Sequence, residues 1–186
     1  YNITVNADNN IVFDKDGDGG TGYVGIYNQT SGAKTTIITG LTRPRQVCVD
    51  AADNVYVACE DGVIKKWTKA TGIVSTAAPN LGSAEGIAVL PDGTMYIMTY
   101  SQHSDSPLIG VSYNGGKLYQ IKDGVTELVD GGTYQGIWRA RGITVDDKGY
   151  LYLTGESNAW DNGNSSLFAQ FNPGSRAQTS VFNGLD

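Results

Sequence analysis

Short apolar runs, each closed by turn residues, recur along this chain and read as strands. The clearest pair is Gly142-Ile143-Thr144-Val145-Asp146, a tight turn, and Tyr150-Leu151-Tyr152-Leu153. The same pattern returns as Gly86 to Val89, Pro91-Asp92-Gly93, and Met95 to Met98. It returns again as Gln46 to Asp50 followed by Val55-Tyr56-Val57, and more faintly as Ile3 to Asn6 followed by Ile11-Val12-Phe13. The anchor residues 3, 47, 87 and 143 lie 44, 40 and 56 positions apart. At one shared position of the turn stand Asn9, Asp53, Gly93 and Gly149. These are the residue types that best tolerate the left-handed backbone a tight hairpin needs there.

A second half follows each hairpin. Third strands are predicted at Val24 to Tyr27, Val63 to Trp67, Lys117 to Ile121 and Ser166 to Phe171. Turns follow at Ser31-Gly32, Thr71-Gly72, Asp123-Gly124 and Pro173-Gly174, and outer strands near 34–39, 73–77, 125–130 and 177–182. The first strand of a unit is apolar on nearly every residue and the fourth is rich in Thr and Ser, as when the first lines a crowded axis and the fourth meets water. Four strands per unit at a period of about 40 to 50 residues is the signature of propeller blades. The expectation is an all-β chain: one β-propeller of four-stranded antiparallel blades, divided near 1–41, 42–81, 82–132 and 133–186.

The motif segments Arg43-Pro44-Arg45-Gln46-Val47-Cys48-Val49-Asp50, Glu85-Gly86-Ile87-Ala88-Val89 and Arg141-Gly142-Ile143-Thr144-Val145-Asp146, each followed by a Tyr-containing strand, resemble those of NHL-type propellers and their streptogramin-lyase and gluconolactonase-like relatives. Two positions depart from the pattern: Gln46 stands where Gly is usual, and Leu90 where Asp50 and Asp146 sit. Propellers of this kind usually carry more than four blades. The segment Phe182 to Asp186 is similar to the Thr39-Gly40-Leu41-Thr42 lead into the second blade. The expectation is therefore a segment of a larger ring, or a chain that pairs with another copy of itself. The lyase resemblance would imply a pair of catalytic histidines, and His103 is the single histidine. The gluconolactonase resemblance would imply a metal held by Glu, Asn and Asp at the channel, for which Glu85 is suggestive.

The chain has 186 residues and 40% hydrophobic content, enough for one domain with a core. No run approaches a membrane span. The net charge of −6 disfavours broad, phosphate-driven nucleic-acid binding. Strand alternation puts Cys48 and Cys59 on opposite faces, so both read as packed thiols. Sequons at Asn28 and Asn164 fall in turns or loops, whereas the Asn2 sequon overlaps a core strand. With the Gly, Asn, Thr and Tyr richness, they point to an extracellular or cell-surface glycoprotein.

Loop insertions all fall between second and third strands: 14–22, 99–116 and 155–165, against the minimal Glu60-Asp61-Gly62. That joint shares one propeller face with the blade-to-blade connections, and long loops on one face of a repeat mark a binding face. Three features of that face carry candidate chemistry. Asp14, Asp16 and Asp18, in Asp-Lys-Asp-Gly-Asp-Gly, match the opening of a calcium loop, where alternate carboxylates offer hard oxygens; Gly25 stands where an EF-hand would place Glu. Arg45, Glu85 and Arg141 share one repeat position beside the channel, with Arg43 and Arg139 two residues earlier, and arginine forks suit carboxylates, phosphates and acidic glycans. They serve equally as ion-pair partners of acids across the channel. Trp138, with Tyr100, Tyr113, Tyr134 and Trp160, offers rings that stack on sugars, anchor a protein or pack their own loops; His103 lies in the longest insertion. No nucleophile triad, CxxC pair or phosphate loop is present. The expectation is a structural or binding module for a protein or glycan, calcium-stabilised and without catalysis. The alternative is a metal-dependent hydrolase or lyase at the channel mouth.

Overall fold

A computed structural model describes residues 2–99, 117–130, 137–157, 166–175 and 177–183. Sixteen strands form four sheets of four. Blade 1 is β1 (Ile3–Val5), β2 (Ile11–Lys15), β3 (Gly22–Tyr27) and β4 (Lys34–Leu41). Blade 2 is β5 (Pro44–Val49), β6 (Val55–Cys59), β7 (Ile64–Thr68) and β8 (Ile73–Ala78). Blade 3 is β9 (Ala84–Val89), β10 (Met95–Thr99), β11 (Leu118–Lys122) and β12 (Val125–Asp130). Blade 4 is β13 (Ile137–Val145), β14 (Leu151–Ser157), β15 (Ser166–Asn172) and β16 (Ala177–Asn183). Every blade is an antiparallel meander in chain order, and the whole is a four-bladed β-propeller. One 3-10 turn, Asp18–Gly20, interrupts the β2–β3 loop. Among the described residues no helix is long and apolar enough to cross a membrane, which says nothing of membrane β-barrels.

The four hairpins share one register. The anchors pair as Ile3 with Phe13, Val47 with Val57, Ile87 with Ile97 and Ile143 with Leu153. The turns behave as their residue types dictate. Asn9 and Asp53 sit at φ +60°, Gly93 at +86° and Gly149 at +82°. Where an Asp precedes the turn, it is held by its own side chain. Asp50 Oδ1 accepts the N–H groups of Ala52 and Asn54, and Asp146 Oδ1 those of Lys148 and Tyr150. The second carboxylate oxygen accepts the hydroxyl of a tyrosine on the next strand, Tyr56 or Tyr152. Blade 3 has Leu90 there, and its tyrosine, Tyr96, accepts instead from Gln120 Nε2 at 2.7 Å.

Apolar residues of facing sheets form three interblade cores. Blades 1 and 2 share one built on Val12, Val24, Ile38, Val47, Val55 and Val57. Blades 2 and 3 share one built on Tyr56, Ile64, Ile87, Met95, Ile97 and Ile121. Blades 3 and 4 share one around Tyr96, Met98, Leu118, Ile143, Leu151 and Phe171. Each fully buried side chain of this size stabilises by roughly 1.5–3 kcal/mol, so these interfaces hold the blades in order. Cys48 borders the second core and Cys59 lies in the first; both are free thiols on opposite sheet faces, as strand alternation requires. All six residues of β9 are buried, whereas β8 is exposed over most of its length.

Candidate functional site

The face where inner strands begin brings loops and connections together. The N–H of Arg43 donates to Gly17 O in the β2–β3 loop, and the N–H of Glu60 donates to Arg43 O. Asn80, in the next connection, donates from Nδ2 to Asp61 O. Arg43 is therefore gripped between two blades, with φ at +46°.

A continuous row of charge runs along this rim. Arg43 Nε lies 2.5 Å from Asp18 Oδ1, and its Nη1 is 3.0 Å from Glu60 Oε1. Arg45 binds the other Glu60 oxygen through Nη2, and its Nε stands 3.6 Å from Glu85 Oε1. The row Asp18–Arg43–Glu60–Arg45–Glu85 thus crosses blades 1, 2 and 3. Glu85 is the most enclosed member, its side chain only 9% exposed. Burial raises its pKa above the ordinary glutamate value, and the charges of Arg45 and Arg141 oppose the rise. The Arg43 and Arg45 side chains keep 46% and 33% exposure, so their guanidinium groups are paired yet reachable.

Below the rim lies the axial channel, a cavity of about 360 Å³ lined by the four inner strands at residues 2–4, 46–49, 87–89 and 143–145. Gln46 spans its mouth. Its Nε2 donates to Ile143 O at 2.7 Å, while its Oε1 accepts the N–H groups of Ile143 at 3.2 Å and Ile87 at 3.3 Å. A side chain of blade 2 therefore ties the inner strands of blades 3 and 4. The glycines in the matching positions make room: a Cβ on Gly86 would stand 3.0 Å from Gln46 Oε1. Gln46 is the residue sequence reasoning passed over, noted only as a departure from Gly.

The expected ring of Arg45, Glu85 and Arg141 is only part of the arrangement. Arg45 and Glu85 are joined, with Glu60 and Asp18 as further members, and Arg141 is exposed near Glu85. Glu60 carried a signal, since it opens the shortest of the loops between second and third strands, the joint at which the other blades lengthen.

Asp14, Asp16 and Asp18 do not converge. Asp14 belongs to β2, is 2% exposed, and accepts the Asn2 N–H at 3.1 Å. Burial raises its pKa. Asp16 Oδ1 accepts the N–H of Gly17, and Asp18 is joined to Arg43. Among the described residues no three His, Cys, Asp or Glu side chains are grouped to hold a metal ion. As they stand, these three aspartates do not fit a calcium cage. The physical reason is that Asp14, the first carboxylate of the motif, is still a strand residue.

Asn28 lies in the β3–β4 turn, its Oδ1 accepting from the N–H groups of Thr30 and Ser31. His103, Asn164, Tyr100, Tyr113, Tyr134 and Trp160 fall outside the described residues, as do the side chains of Trp138 and Arg139 on β13.

A family described as a β-propeller repeat matches residues 131–164. No curated protein matches the chain. Solved structures do. An auxiliary nutrient binding protein from Bacteroides thetaiotaomicron superposes with a TM-score of 0.64 at 14% identity, over 97% of this chain and 40% of that one. Hydrazine synthase of Kuenenia stuttgartiensis gives 0.69 at 12% identity, over 98% and 48%. A protein described as a putative gluconolactonase gives 0.59 at 12% identity, over 99% and 75%. The chain spans less than half the length of the first two. At these identities the likeness concerns the fold: the expected similarity to gluconolactonase-like propellers is present in the architecture.

Proposed function

We propose that this propeller is a binding module of an extracellular protein, taking an acidic glycan or protein segment on its loop-rich face at the channel mouth. The observation that carries this reading is the row Asp18–Arg43–Glu60–Arg45–Glu85 beside a channel of about 360 Å³. A carboxylate-bearing ligand can exchange with Glu60 for the two guanidinium groups, a bidentate geometry to which arginine is suited. The propeller whose printed description is nutrient binding lends support by fold alone. The Asn28 sequon in a surface turn supports the extracellular placement.

The test is a screen of acidic oligosaccharides and acidic peptides, with calorimetry on any hit. Arg45→Ala should weaken binding by roughly 10-fold or more, the loss of one charge-assisted pair worth about 1.5–3 kcal/mol. An unchanged affinity in both Arg45→Ala and Arg43→Ala would remove the rim from the reading.

The hydrolase alternative rests on Glu85, an enclosed carboxylate whose pKa is raised at the channel mouth. It predicts turnover of lactone or ester substrates that Glu85→Gln abolishes with the fold intact. Residual turnover in that variant equal to the parent would dismiss it.

A further inference from the structure

Blade 2 sits between blades 1 and 3, and β8 closes its sheet; among the described residues no strand pairs with the outer side of β8. At the β7–β8 turn Thr68 O accepts the Gly72 N–H, so Thr68 and its register partner Ile73 turn their backbone groups toward each other. By strand alternation Ser75 does the same toward Lys66, while Val74 and Thr76 hold N–H and C=O outward. Pairing is regular from Ile73 to Thr76, and the register shifts only beyond Thr76. All four residues are exposed, Ile73 at 61% and Val74 at 43%.

An edge of this kind invites a further strand, and a charge within the edge strand is a usual protection. β4 carries Lys34 and β12 carries Glu127, both exposed and both inside regularly paired stretches. β8 reads Ile-Val-Ser-Thr-Ala-Ala, without charge or proline. Short, neutral and β-branched is the composition that favours strand addition. The cations flanking β8 are engaged within the chain. Lys65 Nζ donates to Thr76 Oγ1 at 3.0 Å, Lys66 Nζ stands 5.0 Å from the centre of the Tyr56 ring, and Lys69 pairs with Asp8 and Asp53.

We infer that β8 pairs edge to edge with β8 of a second copy, antiparallel about a two-fold axis at Ser75. The outward groups of Val74 then meet those of the partner's Thr76, and the reverse, giving four main-chain hydrogen bonds. Ile73 comes opposite the partner's Ala77, and Ser75 opposite itself. The occupant is a second copy because the incoming edge must itself be neutral and regular. Of β4, β8 and β12, only β8 is both, and no like charges meet in the pair. A two-fold contact uses the same patch on both copies and closes at the dimer. It lies on the outer strand of a blade, so it leaves the charged rim and the channel mouth open.

The test is sedimentation velocity of the 186-residue chain from micromolar to millimolar concentration. Paired edges of this length make an interface below about 1,200 Å², the class of weak association, so the dimer should grow in toward the upper end. The expected species has twice the 19.8 kDa of the chain. Ser75→Lys and Ser75→Glu each set two like charges opposite one another at the axis. Each alone should weaken the dimer about 5-fold or more with circular dichroism unchanged. An equimolar mixture of the two should recover a dimer, because Lys then faces Glu. Val74→Pro, which removes an outward N–H and none inside the sheet, should also give a monomer, and it decides the matter if either charged variant fails to fold. A monomer at every concentration overturns the proposal. So does a dimer indifferent to these substitutions, or a mixture that stays as dissociated as either charged variant alone.

Discussion

Replacing Gln46 by Ala removes a side chain of blade 2 whose amide joins the inner strands of blades 3 and 4. Three hydrogen bonds are lost, one donated to Ile143 O and two accepted from Ile87 and Ile143. Each bond of this kind contributes about 0.5–1.5 kcal/mol net, giving about 1.5–4.5 kcal/mol in all. Gln46 is only half-buried and borders the channel, so water can reach the abandoned backbone groups and the lower part of that range applies. The expected loss is about 2 kcal/mol, or about 4–8 °C in Tm for a chain of this size. Urea unfolding measures it, with a lower midpoint at unchanged m. Gln46→Met, which keeps the stem and deletes the amide, should lose nearly as much, since the polar end makes the contacts. Gly86→Ala should be costly in the parent and less so beside Gln46→Ala, because Gln46 Oε1 would lie only 3.0 Å from the added Cβ. A loss below about 0.5 kcal/mol for both Gln46 variants would show that the cores alone hold the inner strands, and would refute the staple.

Two further predictions concern carboxylates between blades. Asp53 is 6% exposed, accepts the Ala7 N–H of blade 1 at 2.8 Å, and pairs with Lys69 at 2.8 Å. The Ala7 bond first and Lys69 second hold its pKa below the ordinary value, so its contribution is present above the unfolded pKa and lost as pH falls through the folded one. Asp53→Ala should cost about 2–3 kcal/mol at neutral pH by urea unfolding, part of it from the left-handed backbone, and Asp53→Asn clearly less; equal losses would contradict this. Glu85 has the opposite sign. Its raised pKa means the native state holds the proton more tightly, so its burial costs stability above the folded pKa and is relieved as pH falls through it. Glu85→Gln should therefore flatten the pH dependence of the urea midpoint just above the ordinary glutamate pKa, and an unaltered slope would refute the assignment.

The blades were legible in the sequence because strand pairing repeats with the chain. Ile3, Val47, Ile87 and Ile143 each pair ten residues on, and every loop insertion leaves that register untouched. Asn9 and Asp53 betrayed the turns because few residues accept a positive φ. The rim was legible only in part. Arg43 meets Asp18 and Glu60 from 25 and 17 positions away, and no period links partners whose distance is set by a loop and a blade connection. The calcium motif meets a related limit. Spacing of Asp14, Asp16 and Asp18 assumes one continuous loop, but β2 extends to Lys15 and turns Asp14 inward. Gln46 was visible as an exception without a meaning, since what it bonds is backbone brought close only by the ring of inner strands.

Binding and blade order are linked in this architecture. Repeat proteins are held by nearest-neighbour interfaces, so the relative position of two blades is a soft variable compared with the inside of a blade. The rim row takes Asp18 from blade 1, Arg43, Arg45 and Glu60 from blade 2 and its adjoining segment, and Glu85 from blade 3. Both guanidinium groups belong to blade 2 and its lead-in segment, and each meets a carboxylate of a neighbouring blade, so a ligand that takes them in this arrangement binds the docked spacing and by linkage stabilises it in proportion to its occupancy. The Gln46 staple acts on the same coordinate from the other side of the rim, tying blade 2 to blades 3 and 4. Loss of the staple should accordingly weaken ligand binding at the rim without touching any residue that contacts it, whereas a blade-internal change such as Val125→Thr on an exposed outer strand should not.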